Sequence, residues 1–267
     1  MIQGFETREI TDIPVRAFVK SADGVLHKKV KTVDQYEQTE WPTFEDLDKP
    51  IAVFGTLRGT GDLLKHCMIK PQTFYYFDHA YRFGNRHSEG VVQEKIYRIT
   101  KNDYSMTYID TLTEQDYERI EKYKKLINIK EWKKEGKYIL VLPPSDHAKK
   151  YYGYPDWLKD TLYQLKNITK KDIIVREKDS KESLSKQLEE AFACVSFNTT
   201  ACIDAILNGV PSFVDGISCG LPVSLTDLTR IEKPFYAPNR ERWIDSLLAN
   251  QFTLSEIEDG TAWRKVQ

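Results

Sequence analysis

The stretch 191–216, AFACVSFNTTACIDAILNGVPSFVDG, constrains the fold more than any other part of the chain. Residues 193–197 are an apolar run of strand length. Asn198 breaks it, and Thr199 and Thr200 are residue types that cap a helix and open its first turn. Over 201–207, Ile203, Ala205, Ile206 and Leu207 fall at helical spacing. Gly209 suits the left-handed position just past a helix end, Pro211 cannot continue a helix, and 212–214 begins a second buried strand. The expected unit is strand–helix–strand with parallel strands. Such units present backbone N–H groups at the carboxyl edge of the sheet, where phosphate can bind. An ordinary capped unit without a ligand fits the same pattern, because fold does not fix function.

With 267 residues, 40% of them hydrophobic and 30% charged, the chain has material for one large or two smaller folded α/β domains. The net charge of −1 argues neither for nor against a nucleic-acid partner, so only a local patch could do so. Cys67, Cys194, Cys202 and Cys219 lack metal-type spacing and read as small buried hydrophobes in a reducing compartment. The N-terminus lacks a signal-peptide pattern and no apolar run approaches membrane-spanning length, so no stable membrane insertion and a cytoplasmic location are expected.

Taken in order, 15–19 and 25–30 alternate like a hairpin around Ala22-Asp23-Gly24. Residues 37–49 are polar and read as an irregular arm. Residues 51–54 are strand-like and lead into a glycine-rich turn, GTLRGTG (55–61), and a helix to residue 69. Its glycines let a ligand approach the backbone, and Arg58 could add charge-assisted hydrogen bonds to phosphate. The turn matches neither the Walker loop nor G-x-G-x-x-G. Strand 73–77 ends in Asp78-His79, a carboxylate and an imidazole at a strand's carboxyl end, and either could act as a general base. Residues 80–93 are glycine-containing and basic, and could lie over a substrate. A charged helix spans 114–125. Lys122, Lys124, Lys125, Lys130, Lys133, Lys134 and Lys137 then form either a solvated face or a phosphate-backbone track.

A second strand–helix series starts at 137–142. The turn Pro143-Pro144-Ser145-Asp146 closes that strand, 155–165 is a helix, 172–176 a strand and 183–191 a helix. Arg176 and Lys178 flank a strand end in the same half as the Thr199-Thr200 turn, so all could converge on one anion. The tail carries helices over 239–250 and 254–263, with Trp243 and Trp263 as core anchors. The expected organisation is two Rossmann-like domains, one over 1–130 and one over 131–267.

The strand with Arg176 and Lys178, the cluster Ser196-Phe197-Asn198-Thr199-Thr200 and the run DAILNGVP (204–211) resemble the nucleotide-sugar domain of GT-B glycosyltransferases. Asp204 stands where that pattern has Glu. Beyond these, FGTLRGTGDLL, FYYFDHAYR, YRITKN, IEKPFY and RERWIDSLLANQFTLSEIEDGTAWR are similar to small phage-encoded glycosyltransferase-like proteins, some associated with adding sugars to hydroxymethylated pyrimidines in DNA. The resemblance implies an α/β, GT-B-like fold: two Rossmann-like halves facing a cleft, with C-terminal helices packing back. It implies that Arg176, Lys178, Asn198, Thr199 and Thr200 hold a nucleotide diphosphate, with Asp204 and Ser145 nearby. Gly55, Arg58, Gly59, Thr60 and Arg82 would line the site from the first half, and Asp78 or His79 would deprotonate the acceptor. The implied reaction is an inverting transfer from a UDP-linked sugar, used as co-substrate without a cofactor or a required metal, to a hydroxymethylpyrimidine in DNA. Residues 80–93 would be the wedge that flips the base. A glycosyltransferase acting on a surface polysaccharide or lipid-linked glycan, and a non-catalytic nucleotide- or nucleic-acid-binding protein, are the alternatives.

Overall fold

The computed structural model describes residues 1–9, 11–31, 37–39, 41–42, 47–84 and 94–267. The chain divides into two compact units, one formed by Met1–Tyr104 with Asn250–Gln267 and the other by Ser105–Ala249.

The first unit is built on strands β1 (Gln3–Glu6), β2 (Val25–Lys31), β3 (Glu37–Thr39), β4 (Ile51–Phe54), β5 (Phe74–His79), β6 (Ile96–Lys101) and β11 (Gln251–Thr253). They lie in the order β11-β6-β5-β4-β1-β2-β3. Neighbours among β5, β4, β1 and β2 run parallel, while β3, β6 and β11 pair antiparallel. Helices α1 (Ile13–Ser21) and α2 (Thr60–Ile69) belong to this unit, as do α9 (Leu254–Glu258) and α10 (Thr261–Val266). The core on one sheet face joins Val15, Phe18, Tyr75, Phe77, Tyr97 and Phe252 to Ile257 and Ala262. Phe18 meets Phe77 edge-on at 5.0 Å between ring centroids and Trp263 at 5.5 Å. Burying an aromatic of this size contributes about 2–3 kcal/mol. The tail therefore packs back, as expected, and it completes the first unit.

The hairpin expected over 15–30 is not there: 15–19 lie in α1, and β1 was not foreseen. In a strand, Phe18 would share a face with Arg16. In the helix Val15, Phe18 and Val19 form one buried stripe, with Pro14 in the first turn where its missing N–H costs nothing. Arg16 instead pairs through both Nε and Nη2 with Glu6 at the end of β1.

The second unit carries α3 (Glu114–Lys124), β7 (Tyr138–Leu142), α4 (Asp146–Tyr151), α5 (Trp157–Ile168), β8 (Asp172–Val175), α6 (Leu184–Glu190), β9 (Ala191–Ser196), α7 (Ala201–Leu207), β10 (Ser212–Val214) and α8 (Arg240–Ala249). Its sheet has the order β10-β9-β7-β8, and every neighbouring pair is parallel. Residues 139, 141, 193, 195 and 197 face α5, whereas 138, 140, 142 and 194 face α6 and α7. The fold class is α/β in both units. The division differs from the expected one at 130/131, because α3 belongs to the second unit. Arg119 Nη1 donates to the Ala249 carbonyl at 3.2 Å, Lys124 pairs with Asp245 at 2.8 Å and the Asp110 N–H donates to Ser246 Oγ at 2.6 Å.

All four cysteines are buried and unbridged. Burial pushes the Cys67 thiol up to about 11 and the Cys194 thiol up to about 12, so neither supplies thiolate at neutral pH. The folded protein is therefore expected to show no fast thiol reaction with a water-soluble disulfide reagent, and all four thiols should react in denaturant. A rapid thiol equivalent in the native protein would contradict this packing.

Candidate functional site

In an open parallel sheet, ligands bind outside the carboxyl ends of strands where the strand order reverses. In the second unit that point lies between β7 and β9. The chain leaves β7 for β8 on one side and returns to β9 on the other. The two turns expected to bind phosphate, 143–146 after β7 and 197–200 after β9, both lie there. Asn198, Thr199 and Thr200 are half-buried, and Thr199 Oγ1 accepts from the Ala201 N–H at 3.2 Å. Thr200 occupies the N-cap position of α7 with φ −66° and ψ −11°, and its side chain makes no capping bond. Ser145 Oγ is taken by the Ala148 N–H at 3.2 Å, so this hydroxyl caps α4.

Ser196, the last residue of β9, belongs to the cluster that carries the GT-B resemblance, but the sequence assigns it no role of its own. It is fully buried, and its Oγ has no hydrogen-bond partner among the described residues. It pairs in register with Leu142 on β7 and Val214 on β10, which places it at the reversal point.

The two cations expected beside this turn are placed differently. Arg176 follows β8, which lies beyond β7 from β9. Its Nη1 donates to the Glu182 carbonyl and to Gln187 Oε1, both at 2.6 Å, so it braces the segment entering α6. Lys178 is exposed in the loop after β8. The structure thus brings Ser145, Ser196 and 198–200 together and holds the Arg176 guanidinium on α6. Asp204 lies half-buried in the first turn of α7.

In the first unit the order reverses between β1 and β4, and the 55–61 turn follows β4 directly. Gly55 has φ +63° and donates its N–H to the Phe77 carbonyl at 2.8 Å. A Cβ at Gly55 would meet nothing within 4 Å. Arg58 is left-handed at φ +61°, a conformation costly for a non-glycine residue, and Gly59 at φ +95° starts α2. Thr60 is fully buried and donates to the Gly55 and Leu57 carbonyls at 2.9 and 2.7 Å. Its hydroxyl fastens the turn rather than lining a surface.

Asp78 and His79 point to opposite faces of the sheet, as neighbours on a strand must. Asp78 Oδ2 accepts from Arg98 Nη2 at 2.7 Å and from the Tyr76 hydroxyl at 3.2 Å, and Oδ1 accepts from the His79 N–H at 2.8 Å. Arg98 lies directly opposite Asp78 in the antiparallel register, 5.0 Å from the Tyr81 ring centre, so the pair ties β5 to β6. His79 meets Phe54 edge-on at 5.6 Å. Asp78→Asn is expected to cost about 2 kcal/mol of stability, the scale of a charge-assisted hydrogen bond to a buried partner. Chemical denaturation checks this, and an unchanged midpoint would refute the bracing role. The Arg82 N–H donates to Gln251 Oε1 at 3.1 Å, which fixes Arg82 to β11. The wedge expected over 80–93 falls in part on 85–93, which lie outside the described residues.

Of the basic stretch 122–137, Lys124 and Lys133 are half-buried, and Lys122, Lys125, Lys130, Lys134 and Lys137 are exposed. Lys124 pairs with Asp245, and Lys137 pairs with Glu190 at 2.5 Å. Lys133 donates to the Leu188 and Glu189 carbonyls at the end of α6, and burial lowers its ammonium pKa. Lys134 lies 3.6 Å from the Tyr236 ring centre. Among the described residues no group of three or more His, Cys, Asp or Glu side chains could hold a metal ion, and no helix is long and apolar enough to cross a membrane.

No family model and no curated protein sequence matches the chain. Among solved structures it is similar to two transferases of Thermosulfurimonas dismutans. One is KpsC, β Kdo 2,7 transferase, at 12% identity and a TM-score of 0.47, covering 98% of this chain and 99% of that one. The other is KpsC, β Kdo 2,4 transferase, at 9% identity and a TM-score of 0.48, covering 94% and 90%.

Proposed function

We propose that the chain is a nucleotide-sugar-dependent glycosyltransferase whose second unit takes the nucleotide sugar. The observation that supports this most is the placement of Ser196, Asn198, Thr199 and Thr200 at the reversal point of an all-parallel sheet. These are the residues that the sequence resemblance to GT-B enzymes singles out. Hydroxyls and backbone N–H donors there would stabilise the diphosphate that leaves as the sugar–phosphate bond breaks. Arg176 then acts by holding the α6 entry.

We assign the base that activates the acceptor hydroxyl to His79. Asp78 is engaged at both oxygens within its own unit. His79 takes the proton of the acceptor hydroxyl, whose oxygen bonds to the anomeric carbon as the bond to the diphosphate breaks, and this single displacement inverts that carbon. The acceptor in this reading is a hydroxyl on a glycan. The hydroxymethylpyrimidine acceptor drew on the phage-type resemblance and on a lysine track, of which Lys124 and Lys133 make contacts inside the second unit.

The test is a panel of nucleotide sugars screened first by thermal shift, because a ligand that binds the native state raises its melting temperature. The stabilising sugar is then used in radiolabelled form with oligosaccharide acceptors and with hydroxymethylpyrimidine DNA. Stabilisation by a nucleotide sugar with label entering a glycan is expected, and His79→Ala should lose transfer while keeping the shift. No stabilisation by any member of the panel would end the donor assignment. Label entering DNA instead would reverse the acceptor.

A further inference from the structure

The chain contains a single Asn-Gly pair, Asn208-Gly209, and it stands where α7 ends. Such a pair loses its side-chain amide more easily than other asparagine pairs, because glycine has no side chain to shield its own nitrogen. In an open chain the Gly209 nitrogen attacks the Asn208 Cγ. The N–Cγ bond forms, the Cγ–Nδ2 bond breaks, and the Gly209 amide proton leaves with the amide nitrogen as ammonia. Water then opens the five-membered imide. Opening at Cγ gives aspartate. Opening at the Asn208 main-chain carbonyl gives isoaspartate, whose main chain runs through the side chain.

Both reacting groups are tied down in the fold. Asn208 Nδ2 donates to the Asp204 carbonyl at 2.9 Å. The Gly209 N–H donates to the Ile206 carbonyl at 3.1 Å and the Val210 N–H to the Ala205 carbonyl at 2.9 Å, the two bonds that close a helix on a left-handed glycine. Asn208 has φ −78° and ψ 7°. The imide ring requires a ψ that L-residues rarely occupy, so the peptide between Asn208 and Gly209 must first rotate. It cannot rotate alone. The Gly209 carbonyl accepts from the Lys133 N–H at 2.8 Å, and Val210 is fully buried.

We propose that Asn208 is a self-modification site that the end of α7 keeps shut, and that its products do not return to the native fold. Isoaspartate lengthens the main chain between Asn208 and Gly209 by one carbon, about 1.5 Å of path. Gly209 has no room for it, since even a Cβ there would lie 2.0 Å from the Glu131 carbonyl oxygen. The extra length would instead displace β10 from its register on β9. The aspartate product loses the amide donor and sets a carboxylate at the negative end of α7, beside the Asp204 carbonyl. Each opening of this junction therefore risks a permanent loss, which gives the fold a lifetime as well as an equilibrium stability. The proposal involves no ligand and stands apart from the transferase reading.

The experiment ages the full chain at mildly alkaline pH, once in native buffer and once in guanidinium chloride. Peptide mapping then reads aspartate and isoaspartate at position 208. Deamidation is expected in denaturant and at least about 100-fold more slowly in the native protein, because it must pass through the opened junction. Amide hydrogen exchange at Gly209 and Val210 in native buffer should be slowed to a similar degree. The denatured sample is then refolded. The recovered native fraction should fall in step with modification at 208, whereas Asn208→Ser and Asn208→Gln, which cannot form this ring and keep every other residue, should refold fully after the same ageing. Equal deamidation rates in the two buffers would overturn the gating. Modified chains that refold to the parent's melting temperature would overturn the claim about the products.

Discussion

Replacing Gly209 with alanine is expected to destabilise the second unit by about 4 kcal/mol, the sum of a left-handed backbone without glycine and a steric collision. Gly209 has φ +76°, and a Cβ there would lie 2.0 Å from the Glu131 carbonyl oxygen and 2.9 Å from its carbon. Both atoms are backbone, so no rotamer change relieves the contact. The strand of contact cannot simply move away either. The Lys130 N–H donates to the Leu207 carbonyl and the Lys133 N–H to the Gly209 carbonyl, both at 2.8 Å. Displacing 130–133 would also pull Lys133 from the end of α6. Gly153 provides the control. It too is left-handed, at φ +70°, but a Cβ there meets nothing within 4 Å. Gly153→Ala should therefore cost only the conformational part, about 1 kcal/mol. At roughly 2–4 °C per kcal/mol for a unit of this size, the two variants should melt roughly 10 °C apart. Equal melting temperatures would show that the Glu131 backbone yields freely.

Gly209 also marks the limit of what the sequence revealed. Its helix-terminating role was legible, because Ala201–Leu207, Asn208 and Gly209 follow the local rules of a helix end. Its second role, admitting the backbone of Glu131, depends on a residue far away in the chain and leaves no local signature. The same divide runs through the site. The 197–200 turn and the strands around it were legible from apolar runs and caps, and the strand order then carried both phosphate-type turns to reversal points. Arg176 was legible as a cation at a strand end, but not as a brace, because Gln187 and Glu182 reach it only once α6 has formed. Asp78 was legible as a candidate base but not as a brace, because its partner Arg98 stands opposite only in an antiparallel register. Residues 15–19 were misread because alternation of Val15, Ala17 and Val19 satisfies a strand as well as a helix. Phe18, packed on Phe77 from across the sheet, decides between them.

Thr200→Glu is expected to weaken binding of the nucleotide sugar by about 100-fold while leaving the fold intact. Thr200 is half-buried in a right-handed helical conformation and makes no capping bond that the substitution could remove. A carboxylate at the start of a helix is neutral or stabilising by about 0.3–1 kcal/mol. Repulsion from Asp204, one turn on, offsets part of that, about 0.3–0.5 kcal/mol. The melting temperature of the unliganded protein should therefore move little. Beside a diphosphate the same carboxylate acts at close range. Two unit charges about 4 Å apart at a protein surface repel by about 4 kcal/mol, and partial screening brings this towards the 100-fold loss expected. Thr200→Ser, which keeps the hydroxyl, should bind as the parent does. Isothermal titration can separate charge from shape by comparing the nucleotide sugar with its nucleoside. The nucleoside carries no phosphate, so its affinity should be nearly the same in both proteins, and added salt should narrow the gap for the nucleotide sugar alone. If Thr200→Glu binds the nucleotide sugar as tightly as the parent, the diphosphate is not held at the end of β9, and the donor site lies elsewhere on the protein.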